Sequence, residues 1–330
     1  MLVFLPELHS AVELDEHGVG RLRRALVAGQ APISAYRSIA FGRKTDHLAG
    51  RTLKEIVLLI AEQSDGFDVA LEILFMRLFS DRSAKRKHEP ELIEAGCELL
   101  QRVTFRKDNQ GRDYELAGVA KACLTAHEAG SIAAKVATRV RQAIAAHETS
   151  SFSSHDLLTA LLEAQPAAVL DALFAGNDRE KLAGVAALDD LSENRNKPMD
   201  AVSCEELVAW CNRDREHRYP LAASIITYAR SSKAAAGLVW SEQATALLAN
   251  TPDPVSVLNA FLQRFRPMAW CGSRAALIEA NARLLDSLNA QLSTDLMPFI
   301  TEAKAKLAHV IARERRCETE FDRARDEQFE

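Results

Sequence analysis

The residue types able to do covalent or metal chemistry are sparse in this chain and poorly spaced for it. Cys204, Cys211 and His217 come nearest to a ligand set, but structural zinc takes four ligands, normally with a Cys-x2–4-Cys pair. Cys204 and Cys211 are spaced to share one helix face and read as two core thiols. Cys271-Gly272-Ser273 falls on a turn at a helix start, where backbone donors lower a thiol pKa and a cysteine hydrolase would place its nucleophile. A helix cap explains Trp270 to Ser273 equally well, and no Gly-x-Ser-x-Gly surrounds it. His127-Glu128 and His147-Glu148 start like zinc-protease pairs, yet neither continues to a second His four residues after the first. Gly18-Val19-Gly20 has neither a preceding strand nor a third glycine, and no Gly-x4-Gly-Lys-Ser/Thr occurs. We therefore expect no enzyme, and no catalytic, metal-ligating or cofactor-binding residue.

Two charged stretches are better candidates for binding. Arg82, Lys85, Arg86 and Lys87 form a basic link, the kind of side chains that contact phosphates. Arg102, Arg106, Lys107 and Arg112 follow across a predicted helix about 25 Å long, so the two groups do not make one compact patch. Few aromatics are interleaved for base stacking. The second stretch, Arg213 to Tyr219, is dense in both signs of charge between two predicted helices. Trp210, Arg213, Arg215, Arg218 and Tyr219 would make a recognition ridge at a repeat corner, with the two aromatics as anchors. A solvated loop and a salt-bridged corner are the plainer readings of the two stretches.

The elements that must position these residues are helical. Hydrophobic residues make up 48% and charged residues 26%, but aromatics only 6%, with 14 glycines. Alanine and leucine dominate nearly every window, and no segment alternates as a strand does. The most apolar stretch, 52–79, is broken at Ser64-Asp65-Gly66 and predicts a helical hairpin whose second helix is apolar on nearly all sides. Pro32 and Pro90 open helices, and Gly29 and Gly130 punctuate them. Ser154 is placed to cap a helix over 156–165, and Ser203-Cys204-Glu205-Glu206 has the spacing of a capping box. A helix is expected over 219–230, and charges alternate from 303 to 329 as on an exposed terminal helix.

About fifteen helices joined by short loops have the rhythm of stacked hairpins, an α-solenoid-like array of the HEAT or TPR kind. The Ser/Thr-rich stretch 147–154 suggests two subarrays, residues 1–150 and 151–330. A net charge of −5 argues against wholesale binding to nucleic acid or acidic membrane. The six cysteines are scattered, which suits reduced thiols and a cytoplasmic chain without anchor or signal. The abrupt apolar start suits a piece of something longer.

Three runs carry a resemblance: Leu207 to Cys211 with Arg218 to Ser224, Pro267 to Trp270 with Gly272 to Ala276, and Glu314 to Asp326. They resemble the extreme C-terminal helical region of very large multidomain bacterial proteins, some of the NTPase type found in anti-phage defence. None is a catalytic signature, and no functional residue carries over. The resemblance implies a detached terminal module that senses or binds a target. The expected function is thus a non-catalytic scaffold or sensor with a protein partner. A nucleic-acid-binding protein using the 82–87 link, and a hydrolase using Cys271, are the alternatives.

Overall fold

Helix ends follow the sequence signals closely, as the computed structural model shows for the residues it describes: 5–8, 14–105, 112–126, 129–189, 197–232, 237–266, 272–288 and 296–329. They divide into two compact units, Met1–Asp190 and Leu191–Glu330. The division therefore falls after the expected boundary at 150/151, because the helices following 154 pack on those preceding it.

The first unit holds α1 (Glu16–Val27), α2 (Gly50–Ala61), α3 (Gly66–Ser83), α4 (Pro90–Arg102), α5 (Asp113–Cys123), α6 (Gly130–Ala145), α7 (His155–Ala164), α8 (Pro166–Leu173) and α9 (Asp178–Leu188). A 3₁₀ helix, Ile33–Ala40, stands where an α-helix was expected. Two interleaved rows form. Helices α2, α4, α6 and α8 stack in succession, as do α3, α5 and α7, which is the layered hairpin arrangement of a helical repeat. Helix α3 also packs on α2, α4 and the 3₁₀ helix. Leu71, Ile73 and Leu74 are fully buried on it, each contributing about 1.5–3 kcal/mol. A β-carbon at Gly66 would lie 1.8 Å from the Ile60 carbonyl oxygen, so the turn that folds α3 back on α2 requires glycine.

Helix α3 is not wholly apolar. Arg77 and Asp81 are buried together one turn apart. Arg77 also donates to the Thr45 and Leu48 carbonyls and to Glu89 at 2.8 Å, while Glu89 accepts from the Gly50 amide that begins α2. Each nitrogen of the guanidinium group thus meets an acceptor of a loop or helix end, which offsets its desolvation.

The second unit holds α10 (Cys204–Cys211), α11 (Arg218–Ile225), α12 (Glu242–Asn250), α13 (Pro254–Arg264), α14 (Arg274–Leu288) and α15 (Met297–Phe329). The pairs α10/α12 and α11/α13 repeat the stacking of the first unit, and α14 packs on α15. The capping box is present: Ser203 Oγ accepts from the Glu206 amide, and the Glu206 carboxylate accepts from Ser203 N.

A two-stranded antiparallel sheet interrupts the helices, contrary to expectation. Strands β1 (Ala229–Ser232) and β2 (Gly237–Trp240) pair with Ala229 opposite Trp240. The helix expected over 219–230 ends at Ile225. Arg264 takes the Ala223 and Ile226 carbonyls at 2.9 and 2.6 Å and stacks on Tyr228, stabilising that end. Trp240 packs against Phe261, its ring nitrogen donating to the Leu284 carbonyl at 2.9 Å. Tertiary packing of aromatics outweighs the weak strand propensity of Ala-Arg-Ser-Ser.

Arg264 is one of several side chains that close a neighbouring helix. Arg139 takes the Gln101 and Val103 carbonyls at the end of α4, Arg141 takes Ala172 on α8, and Gln165 takes Leu124 and Ala126 beyond α5. Helices leave four carbonyls open at each C-terminus. Much of the buried polar sequence is spent on these groups rather than on a reaction centre.

Candidate functional site

The corner between α10 and α11 is a polar shelf over a buried aromatic base. Trp210 is 2% exposed and Tyr219 fully buried, so neither is the surface anchor that the sequence suggested. Tyr219 donates to Asn212 Oδ1 at 3.0 Å. Arg218 stands 4.7 Å over the Trp210 ring and donates to its carbonyl at 3.2 Å. Packing thus accounts for three of the five proposed contact residues. Arg213 and Arg215 remain exposed on the turn, and Arg215 reaches the Asn250 carbonyl at the end of α12.

The thiols and His217 are placed apart in role. Cys211 is buried with its Sγ 3.7 Å from the Arg218 carbonyl, and burial pushes its pKa up to about 12, against the pull of the Arg218 charge. Cys204 is half-buried, its pKa raised mainly by desolvation. His217 turns its Nδ1 to Asp214 at 3.0 Å. Among the described residues no three His, Cys, Asp or Glu side chains group as metal ligands. Cys271, Trp270 and His127-Glu128 lie outside the described residues, whereas His147 and Glu148 are exposed just past α6.

The basic link is split by the fold. Arg86 is exposed but committed to Asp81 at 2.8 Å and Asp46 at 3.3 Å, and these bonds hold its charged form. Arg82, Lys85 and Lys87 stay exposed. Lys85 has φ +55, its amide bonded to Arg82 O and that of Arg86 to Asp81 O, the Schellman closure of α3. Arg82 lies 5.4 Å over the Phe79 ring. Of the second basic group, Arg102 pairs with Glu98 and Arg112 with Asp68, Glu72 and Glu115; 106–107 lie outside the described residues.

Sequence reasoning missed a cleft of about 380 Å³ between α13 and α15. Leu262 and Phe299 are half-buried in it, and Ala303 and Leu307 form its floor. Arg266, Glu302 and Lys306 stand at its edge, with Lys306 bonded to Glu302 at 2.6 Å. This mix of apolar floor and polar rim is that of a recognition groove. The only advance signal was the apolar spacing along the start of α15.

Past the cleft, α15 runs free of core. Glu318 holds it to α14, accepting from Ser273 Oγ and the Ala275 amide at 2.9 and 3.0 Å. Residues 319–325 are exposed on every side, with Phe321 at 70%. No described helix is long and apolar enough to cross a membrane. Searches of known families, characterised proteins and solved structures found no match for this chain.

Proposed function

We propose that the chain is a non-catalytic, protein-binding helical module, the sensor end of a larger bacterial defence or regulatory NTPase. The single supporting observation is α15, about 50 Å long, which borders an amphipathic cleft and continues past Glu318 with residues 319–325 exposed all round. The exposed turns past Glu318 gain little from packing within their own chain, and a partner supplies what is missing. The cleft takes one face of a partner helix, in the helix-in-groove manner. Phe299 and Leu262 serve as apolar contacts, and Arg266 and Lys306 orient acidic residues on its rim.

Affinity capture with the full chain and with Phe299→Glu tests the reading. A specific partner is expected on the native chain and is lost on the variant, while far-UV circular dichroism stays unchanged. Turnover in a broad hydrolase panel, with no specific partner, overturns it. The larger-protein part predicts a reading frame continuous with an NTPase domain, and a frame without one rejects that part alone.

A further inference from the structure

The first unit carries an aromatic and cationic surface that the protein-binding reading leaves unused. On α3, Phe75, Phe79 and Arg82 share one face. On α5, Tyr114, Gly118 and Lys121 share another. The two faces meet. Phe75 lies 6.1 Å from Phe79 and 5.5 Å, edge to face, from Tyr114. A β-carbon at Gly118 would come within 2.4 Å of the Phe75 ring, so the absence of a side chain there lets α5 approach the aromatic row. Phe79 is 40% and Tyr114 60% exposed. The two exposed rings flank the buried Phe75, so the row continues from the core into water.

Cations surround this row. A cleft of about 110 Å³ is bounded by Phe79, Arg82, His88 and Lys121. That is smaller than the ~300–1,000 Å³ of drug-sized pockets, and suits one ring rather than a whole cofactor. Lys121 bonds Glu163 at 3.0 Å, with both groups half in solvent. Lys85 and Lys87 are exposed just past α3 and have no ion pair among the described residues. The basic link has few aromatics of its own, but α3 sets Phe79 under Arg82 just before it, and α5 closes the cleft with Gly118 and Lys121.

We propose that this α3–α5 face binds a nucleobase joined to phosphate, the chemistry shared by a mononucleotide and a single-stranded nucleic acid. The base stacks where Phe79 and the Arg82 guanidinium lie together, and the phosphate meets Lys85 and Lys87. Arg86, spent on Asp81 and Asp46, takes no part. The site is on the first unit and stands independently of the cleft beside α15.

Fluorescence anisotropy of a labelled oligo-dT of about 15 nucleotides, with AMP as competitor and the full chain as receptor, tests it. Binding at low salt is expected, weakening with a slope of about −0.7 per phosphate contacted. Phe79→Ala should lower affinity about tenfold without changing the salt slope. Lys85→Gln with Lys87→Gln should lower both. Competition by AMP at its own Kd identifies a mononucleotide site, and binding of the oligonucleotide alone identifies a single strand. Three results overturn the proposal: no binding of either probe at low salt, affinity unchanged in both variants, or a duplex bound as tightly as the single strand. Phe79 and the lysines are exposed, and an unchanged thermal midpoint confirms that a variant is folded.

Discussion

Both units hold a helix N-terminus by a carboxylate sent from another helix, and the two differ in what surrounds that carboxylate. In the first, Asp113 accepts the Asp156 and Leu157 amides at 2.7 and 2.9 Å and so begins α7. Ser154, the expected cap, is buried beside it and its Oγ has no hydrogen-bond partner among the described residues. In the second, Glu318 performs the same task for α14 from a half-buried place at the surface. Burial raises the Asp113 pKa to about 6, helped by the Asp156 charge and opposed by the two amides and His155. Glu318 goes the other way, its pKa lowered by the Ala275 amide and Ser273. The same capping role therefore goes with opposite shifts, and desolvation decides the sign. The same contrast runs through the units at large: a dry hub around α3 against a wet, projecting α15.

The largest expected effect comes from breaking the hub. Leu74→Asp places an unpaired charge among fully buried neighbours and should cost at least about 4 kcal/mol, unfolding α2 to α5. Amide exchange read separately in each unit reports whether residues 191–330 keep their protection. Trp240→Ala, which removes a half-buried aromatic and the bond to the Leu284 carbonyl, should cost about 2–3 kcal/mol. Chemical denaturation measures it, and the loss is expected in the exchange of α13 and α14.

Asp113→Asn sharpens the contrast of the caps. Because its folded pKa lies above the ordinary 3.8, the stabilisation from Asp113 is complete below about pH 4 and is lost as pH rises through about 6. The wild-type melting temperature should therefore fall relative to the variant between those limits, and a pH-independent difference would refute burial as the dominant cause. Glu318→Gln gives the smallest effect. Its contribution is present above the usual glutamate pKa and disappears as pH falls through the depressed value. Faster amide exchange at Ala275 is expected near neutral pH, with little change in the melting temperature.

Much of the scaffold was legible because its cause is local. The α2–α3 hairpin, the stop of α1 at Gly29 with φ +61, and the Ser203–Glu206 box all depend on residues within a turn or two of one another. The cleft beside α15 and the α3–α5 face were not, because each is assembled from distant helices. Tyr114 meets Phe75, and Phe299 faces Leu262, only after hairpins stack. Trp210 and Tyr219 looked like surface anchors since a dense charge cluster lies between them, yet stacking on α12 and α13 buries both.

By itself, the sequence determined that this chain is helical, where most helices start and stop, and that they alternate as stacked hairpins, because periodicity and end signals act over a few residues. Tertiary structure alone decided which charges are spent inside. Arg77 and Asp113 have ordinary neighbours in sequence and become a buried and a capping group only against Thr45 and α7, and Arg86 is paired only once Asp46 is brought to it. A side chain's hydration and partners are set by chain segments that sequence spacing does not bring together, and these decide what remains outside to bind.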